Sequence, residues 1–183
     1  MQVWWVRIYL RAALIGLLYL GAMKSSFSGE LPAEVTVCLL GPNDKPLPPA
    51  KVPSVVKTKE EWLKQLGPEA FHILRAEGTE RAFCGTLLDN KKDGIYFCAG
   101  CDLPLFSSDS KFHSGTGWPS FFQPFAKENV LEIQDNSYGM IRTEIRCARC
   151  GGHLGHVFPD GPPPTGQRYC LNSEALIFRE TKK

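Results

Sequence analysis

Met140-Ile141-Arg142-Thr143-Glu144-Ile145-Arg146 alternates apolar and polar side chains and runs straight into Cys147-Ala148-Arg149-Cys150. A period of two marks a strand with one face in a core and the other toward solvent. Other short apolar runs repeat the theme: Gly94-Ile95-Tyr96-Phe97-Cys98, Val130-Leu131-Glu132-Ile133 and Ala175-Leu176-Ile177-Phe178. Turn signals separate them at Asp93-Gly94, Asn136-Ser137 and Asp160-Gly161-Pro162. Fourteen prolines and seventeen glycines point the same way, to many turns and short elements. The pattern from Gly78 onward predicts an all-β domain.

Upstream of it lies a short helical lead-in. Thr58-Lys59-Glu60-Glu61 is a capping box, in which a hydroxyl and a carboxylate satisfy each other's free backbone donors. The helix it starts should run to about Leu66 and stop at Gly67-Pro68. A second short helix, Pro68 to Glu77, begins with proline in the first turn, where the missing N–H costs nothing. Residues 30–56 contain Pro32, Pro42, Pro46, Pro48, Pro49 and Pro53 and read as an extended Pro-rich linker, with a short strand at about Val35 to Leu40. The division expected is 1–29 as a targeting or anchoring segment, 30–56 as linker and 57–180 as the catalytic domain.

The first 29 residues carry Arg7 and Arg11, an apolar run from Ala12 to Met23, and then Ser25, Ser26, Ser28 and Gly29, with no acidic residue before Glu30. A basic start, a short apolar block and small polar residues describe a secretory signal peptide. Val3 to Val6 could extend the block into an uncleaved membrane anchor, and the arginines also suit a mitochondrial presequence. Export, periplasmic or secreted, is the expectation.

The whole chain has 183 residues and a net charge of +2, from 21 basic and 19 acidic residues. That balance gives no reason to expect nucleic acid, which wants a basic face. Hydrophobic content of 43% with 22% charged residues is that of a globular protein, not a disordered one.

Of seven cysteines, four form two C-x-x-C pairs, Cys98/Cys101 and Cys147/Cys150. Each pair puts two thiols on one tight turn, and two such turns offer the four sulfurs a tetrahedral zinc ion takes. Four thiolates leave no open position, so the site reads as structural. Two disulfides, or one redox-active C-x-x-C, are the rivals.

Cys170 stands apart, in Arg168-Tyr169-Cys170-Leu171-Asn172-Ser173, downstream of Gly151-Gly152-His153-Leu154-Gly155-His156. A thiol becomes a nucleophile when a cation, a histidine or hydrogen-bond donors favour its thiolate. His153, His156 and Arg168 are candidates, whereas His72 and His113 lack such company. A lone cysteine is otherwise a small buried apolar residue, and the two histidines could be turn residues or further metal ligands. Gly117-Trp118-Pro119 holds a tryptophan in a stiff turn, either as the wall of a surface pocket or as core.

Taken together, Arg168-Tyr169-Cys170-Leu171-Asn172-Ser173, the stretch Gly152 to Pro162, Gly117-Trp118-Pro119-Ser120-Phe121 and the two C-x-x-C pairs resemble the methionine-(R)-sulfoxide reductases, the MsrB family. The resemblance covers about residues 57 to 178. It implies two antiparallel sheets and a structural zinc held by Cys98, Cys101, Cys147 and Cys150. It implies Cys170 as the catalytic thiol, with His153, His156 and Asn172 binding and helping to protonate the sulfoxide oxygen. Trp118 would receive the substrate methyl group and Thr79 would lie near the thiol. Many members place a resolving cysteine directly before Gly-Trp-Pro, where this chain has Thr116. Other members use the position of Cys84, with Cys38 as a spare. The expected cycle forms methionine and a sulfenic acid on Cys170, then an intramolecular disulfide. A thioredoxin-like dithiol recycles that disulfide, and the enzyme works as a monomer in the repair of oxidised proteins. A non-catalytic zinc-binding module and a thiol/disulfide oxidoreductase are the competing functions.

Overall fold

The computed structural model describes residues 31–181. The segment expected to be a signal or anchor therefore lies outside the described residues. Among those described, no helix is long and apolar enough to cross a membrane.

Among the described residues, eleven strands and one long helix follow in order: β1 (Glu34–Val37), β2 (Ala50–Pro53), α1 (Lys59–Ala76), β3 (Gly94–Cys98), β4 (Pro104–Ser107), β5 (Lys111–Phe112), β6 (Ser120–Phe121), β7 (Val130–Asp135), β8 (Arg142–Cys147), β9 (His153–Phe158), β10 (Arg168–Leu171) and β11 (Leu176–Glu180). They form a six-stranded sheet, β5-β6-β10-β9-β8-β7, a three-stranded sheet, β11-β3-β4, and the pair β1-β2. All pairings are antiparallel. The all-β expectation holds, with one helical lead-in.

The alternation read at residues 140–146 becomes β8. Ile145 is fully buried, while Arg142 and Arg146 point to the other face. The two larger sheets meet through aromatic rings. Tyr96 and Phe106 of the three-stranded sheet lie 4.9 and 4.7 Å from Phe121 of the six-stranded sheet, and Phe106 lies 5.7 Å from Tyr169. All four are buried. Full burial of a side chain of this size contributes about 1.5–3 kcal/mol, and well-oriented ring pairs add to that.

The lead-in follows its capping signals. Thr58 N–H donates to Glu61 Oε2 at 2.8 Å and Glu61 N–H to Thr58 Oγ1 at 3.2 Å. Gly67 interrupts the helix at φ +72°, so α1 is two helices joined at Gly67-Pro68. Trp62, Ile73 and Leu74 are buried on its inner side.

The Pro-rich stretch departs from an extended linker. Residues 34–37 pair with 50–53, and the pair docks on the rest of the protein. Val55 N–H donates to Arg149 O at 2.9 Å, and Asn129 clasps Cys38 through both its N–H and its carbonyl. Val37 is fully buried, so a short alternating segment anchors a proline-rich frame. Pro42 opens the turn between the two strands, and Pro53 ends β2 opposite Glu34.

Candidate active site

Two thiol constellations stand along β9, one just before its start and one opposite its middle. The first is the pair of C-x-x-C turns. Cys98 ends β3 and Cys147 ends β8, so each turn caps a strand of a different sheet. The turns are built alike. Asp102 N–H donates to Cys98 O at 2.9 Å and Cys98 N–H to Leu103 O at 2.8 Å. Gly151 N–H donates to Cys147 O at 2.8 Å and Cys147 N–H to Gly152 O at 2.9 Å. Both turns need a left-handed residue after the second cysteine, Asp102 at φ +62° and Gly151 at φ +67°. Glycine does this freely, and aspartate tolerates it better than most residues.

The four sulfurs lie within 4.8 Å of one another, with Cys98–Cys150 at 3.6 Å and Cys101–Cys147 at 3.4 Å. A tetrahedral ion with metal–sulfur bonds near 2.3 Å sets sulfurs about 3.8 Å apart, so the cluster fits one metal ion. Cys98, Cys147 and Cys150 are buried and Cys101 is partly so. From α1, Arg75 donates to Cys150 O at 2.9 Å and Gln65 to Gly100 O at 2.8 Å.

The second constellation surrounds Cys170. In the β ladder Cys170 pairs with His156 of β9 on one side and with Ser120 of β6 on the other. Paired residues share a face, so all three side chains point the same way. His153 lies three residues from His156 and would face the opposite side of a regular strand. A bulge corrects this: Ile145 pairs with Gly155 but Arg146 with His153, leaving Leu154 as an extra residue. The two imidazole rings then stand 5.6 Å apart. Gly155 has no room for a side chain, because a Cβ there would come within 2.1 Å of Cys170 O. Asn172 Nδ2 donates to Leu154 O at 3.1 Å and ties the bulge to the residue two past the thiol.

Each histidine has a carboxylate. His153 Nδ1 lies 2.6 Å from Glu144 Oε1 and His156 Nε2 lies 2.9 Å from Asp135 Oδ2. Such a partner fixes ring orientation and tautomer. Burial pushes the Glu144 carboxyl up, but the hydrogen bond from His153 and the charge of Arg146 outweigh it and leave Glu144 below the usual range. Arg146 Nε is 2.9 Å from Glu144 Oε1 as an ion pair without hydrogen-bond geometry. Hydrogen bonds from Ser137 first, then His156 and Arg142, hold Asp135 well below the ordinary carboxylate value. Burial lowers the His156 imidazole, against the opposing pull of Asp135.

Cys170 itself is partly buried, and burial raises its thiol above the ordinary value. Thr116, Arg168 and Ser120 pull it back down. Thr116 Oγ1 lies 3.8 Å from Sγ and belongs to a hydroxyl chain through Ser114 (2.8 Å) to Ser120 (2.7 Å). Arg168 is itself buried. It makes a two-point bond to Asp160, both arms 2.9 Å, and stacks 4.4 Å from the Phe158 ring.

Trp118 is half-buried, and its indole N–H donates to Glu80 O at 3.1 Å. Thr79 is exposed, and the next residue, Glu80, makes hydrogen bonds within the site. Glu80 N–H donates to Asn172 Oδ1 at 3.0 Å, while its carboxylate accepts from Ser173 N–H at 2.8 Å and Glu174 N–H at 3.2 Å. Cys84 is exposed on the same segment. Phe83 N–H donates to Gly117 O at 2.8 Å, which sets that segment against the turn carrying Thr116 and Trp118. Cys38 is different from the spare expected: it is buried, with its thiol 3.6 Å from Glu128 Oε2 and its backbone held by Asn129. Its surroundings are those of the metal turns, since Ala148 N–H donates to Asn129 O.

Sequence reasoning missed Glu80, Asp135, Glu144, Ser114, Ser120 and Asp160. Glu144, Ser120 and Asp160 lay in stretches already noted, the strand at 140–146, the Gly117–Phe121 motif and the turn eight residues before Arg168, without a sign of their partners.

The fold and the paired constellations define a protein of the SelR type: residues 66–180 match the SelR domain. A peptide methionine sulfoxide reductase MsrB of Agrobacterium fabrum is 57% identical over 126 residues, 69% of this chain and 93% of that protein. Proteins of the same name from Pseudomonas entomophila (57%, 67% of this chain, 94% of that one) and Methanosarcina barkeri (56%, 69% and 89%) are similarly close. The chain belongs to the MsrB family of methionine sulfoxide reductases.

Proposed function

We propose that this chain reduces the R epimer of methionine sulfoxide in oxidised proteins and peptides, with Cys170 as nucleophile. The observation that carries the reading is the shared face of Cys170, His156 and Ser120, with His153 brought to His156 by the bulge.

The Cys170 sulfur, as thiolate, attacks the sulfoxide sulfur. A sulfoxide oxygen leaves only if protonated, so a donor must stand beside it. His153 and His156, each oriented by its carboxylate, supply that proton, and Asn172 helps to hold the oxygen. The sulfoxide oxygen ends on the Cys170 sulfur, giving sulfenic acid and the methionine thioether, still part of its peptide: the thiol is oxidised by two electrons and the sulfoxide reduced by two. Cys84 then attacks the sulfenic sulfur, water leaves and a Cys84–Cys170 disulfide forms. An external dithiol of the thioredoxin type reduces it by exchange. Trp118 receives the substrate methyl group, and Arg168 favours the thiolate. The four-cysteine cluster holds zinc as a structural ion. The basic and apolar start of the chain supports export, where a thioredoxin-like dithiol would be the electron source.

The test feeds racemic methionine sulfoxide with dithiothreitol and follows each epimer. Loss of the R form alone, abolished in Cys170→Ser, is expected. Turnover of the S form, or activity that survives Cys170→Ser, overturns the reading.

A further inference from the structure

Glu80 is where three separate parts of the site meet. Its peptide N–H donates to the side-chain oxygen of Asn172 (3.0 Å), and its peptide oxygen accepts from the Trp118 indole (3.1 Å). Its carboxylate accepts from the backbone of Ser173 and Glu174, in the tight turn that follows Cys170 and Asn172. The backbone of Glu80 thus touches both residues assigned to the substrate, and its side chain fixes that backbone.

The fit around it is close. A Cβ at Gly85 would lie 2.5 Å from Glu80 Oε1 and 2.1 Å from Ser173 Oγ, so the segment after Cys84 lies flat on the same turn. Phe83 is held in the left-handed region at φ +66°, with its ring 3.0 Å from where a Gly117 Cβ would stand. A bulky residue adopts that conformation only when its surroundings impose it. The segment from Glu80 to Gly85 is therefore pinned at three points: the Ser173 turn, Trp118 and Gly117.

We infer that Glu80 is a positioning residue that locks Trp118, Asn172 and the Cys84 segment into one frame against the turn behind Cys170. This rests on the reductase reading above. A charged acceptor on two backbone donors makes stronger bonds than a neutral one. An amide in its place keeps one acceptor but turns an N–H₂ toward a backbone N–H, donor against donor.

The test compares the full chain with Glu80→Gln and Glu80→Ala, using a peptide that carries methionine-R-sulfoxide. Both variants should raise KM about tenfold, the scale expected when oriented binding groups lose their supports. The Trp118 indole N–H resonance, assigned with Trp118→Phe, should move. In a single turnover, one equivalent of methionine should still form while the Cys84–Cys170 disulfide forms more slowly. A merely structural role would lower the melting point and leave KM and the indole resonance where they were. Unchanged KM and indole resonance in folded Glu80→Gln overturn the inference, and that variant serves if Glu80→Ala fails to fold. Should the wild-type chain reduce none of the peptide, the reductase reading fails instead. The indole resonance and the rate of Cys84 alkylation in Glu80→Gln then still decide whether the frame depends on Glu80.

Discussion

Two points along β9, just before its start and opposite its middle, hold their thiols in opposite ways. At its start, four sulfurs lie within 4.8 Å of one another on two matching turns. Farther along, opposite His156, Cys170 stands alone among a hydroxyl chain, an arginine and two histidines. The first arrangement suits a metal ion with four sulfur ligands, which would leave no open position. The second keeps one sulfur partly open and surrounds it with groups that stabilise charge. The difference also links them, because β9 begins directly after Cys150 and Gly151-Gly152. The metal turns fix where the histidine strand starts.

Breaking the first region should have the largest effect. Cys98→Ser or Cys147→Ser removes one of four ligands and unties two sheets at once. Structural metal sites of this kind carry much of their domain's folding free energy. We expect loss of stoichiometric metal, a broad or absent melting transition and, as a consequence, no activity. Cys170→Ser should leave metal content and melting unchanged and remove turnover alone. If Cys98→Ser melts like the wild type, the clamp is not structural.

The second region can be tuned without breaking it. Burial holds the Cys170 thiol above its ordinary value and Arg168 opposes that. Replacing Arg168 by methionine removes a positive charge beside the sulfur, so the thiolate should become less favourable and the titration should move further up. Alkylation of Cys170 followed against pH, in a Cys38→Ser/Cys84→Ser background, measures this. A midpoint that moves down contradicts the assignment. Asp135→Asn should act more weakly on the other partner. It removes a group that raises the His156 imidazole, so His156 should titrate lower still. Less of it then carries a proton at neutral pH. A fall in turnover of up to about a hundredfold, recovered in part at lower pH, is expected. Equal loss at all pH values would mean that Asp135 only supports the fold.

These partners show what could be read from the chain. The strand at residues 142–147, the capping box at Thr58 and the two C-x-x-C turns were legible because their signals are local: a period of two, a spacing of three, a spacing of three again. The histidine arrangement was legible only in part. Residues three apart on a strand face away from each other until a bulge intervenes, and that bulge is set by pairing with β8, not by anything in Gly151 to His156. Glu80 was invisible because its partners in Asn172, Ser173 and Glu174 are 92, 93 and 94 residues away. The ordering of residues 34–53 was masked by prolines, although Val35 and Val37 carried the inward alternation that anchors it.

Cys38 makes the smallest and sharpest case. It is a third thiol outside the four-cysteine cluster, and Asn129 ties it to the metal turns. Burial, then the Glu128 carboxylate, pushes its thiol up, so it resists becoming thiolate at neutral pH. Asn129 holds its backbone on both sides, so bringing it to Cys170 would require opening that clasp. Cys38→Ser keeps a small donor facing Glu128, and stability should change by no more than about 1 kcal/mol. Recycling by a thioredoxin-type dithiol should persist in Cys38→Ser and fail in Cys84→Ser, which still yields one methionine per chain. If the two variants behave the other way round, the thiol that answers Cys170 comes from the metal end of the molecule, and the separation between the two regions is not the one the protein uses.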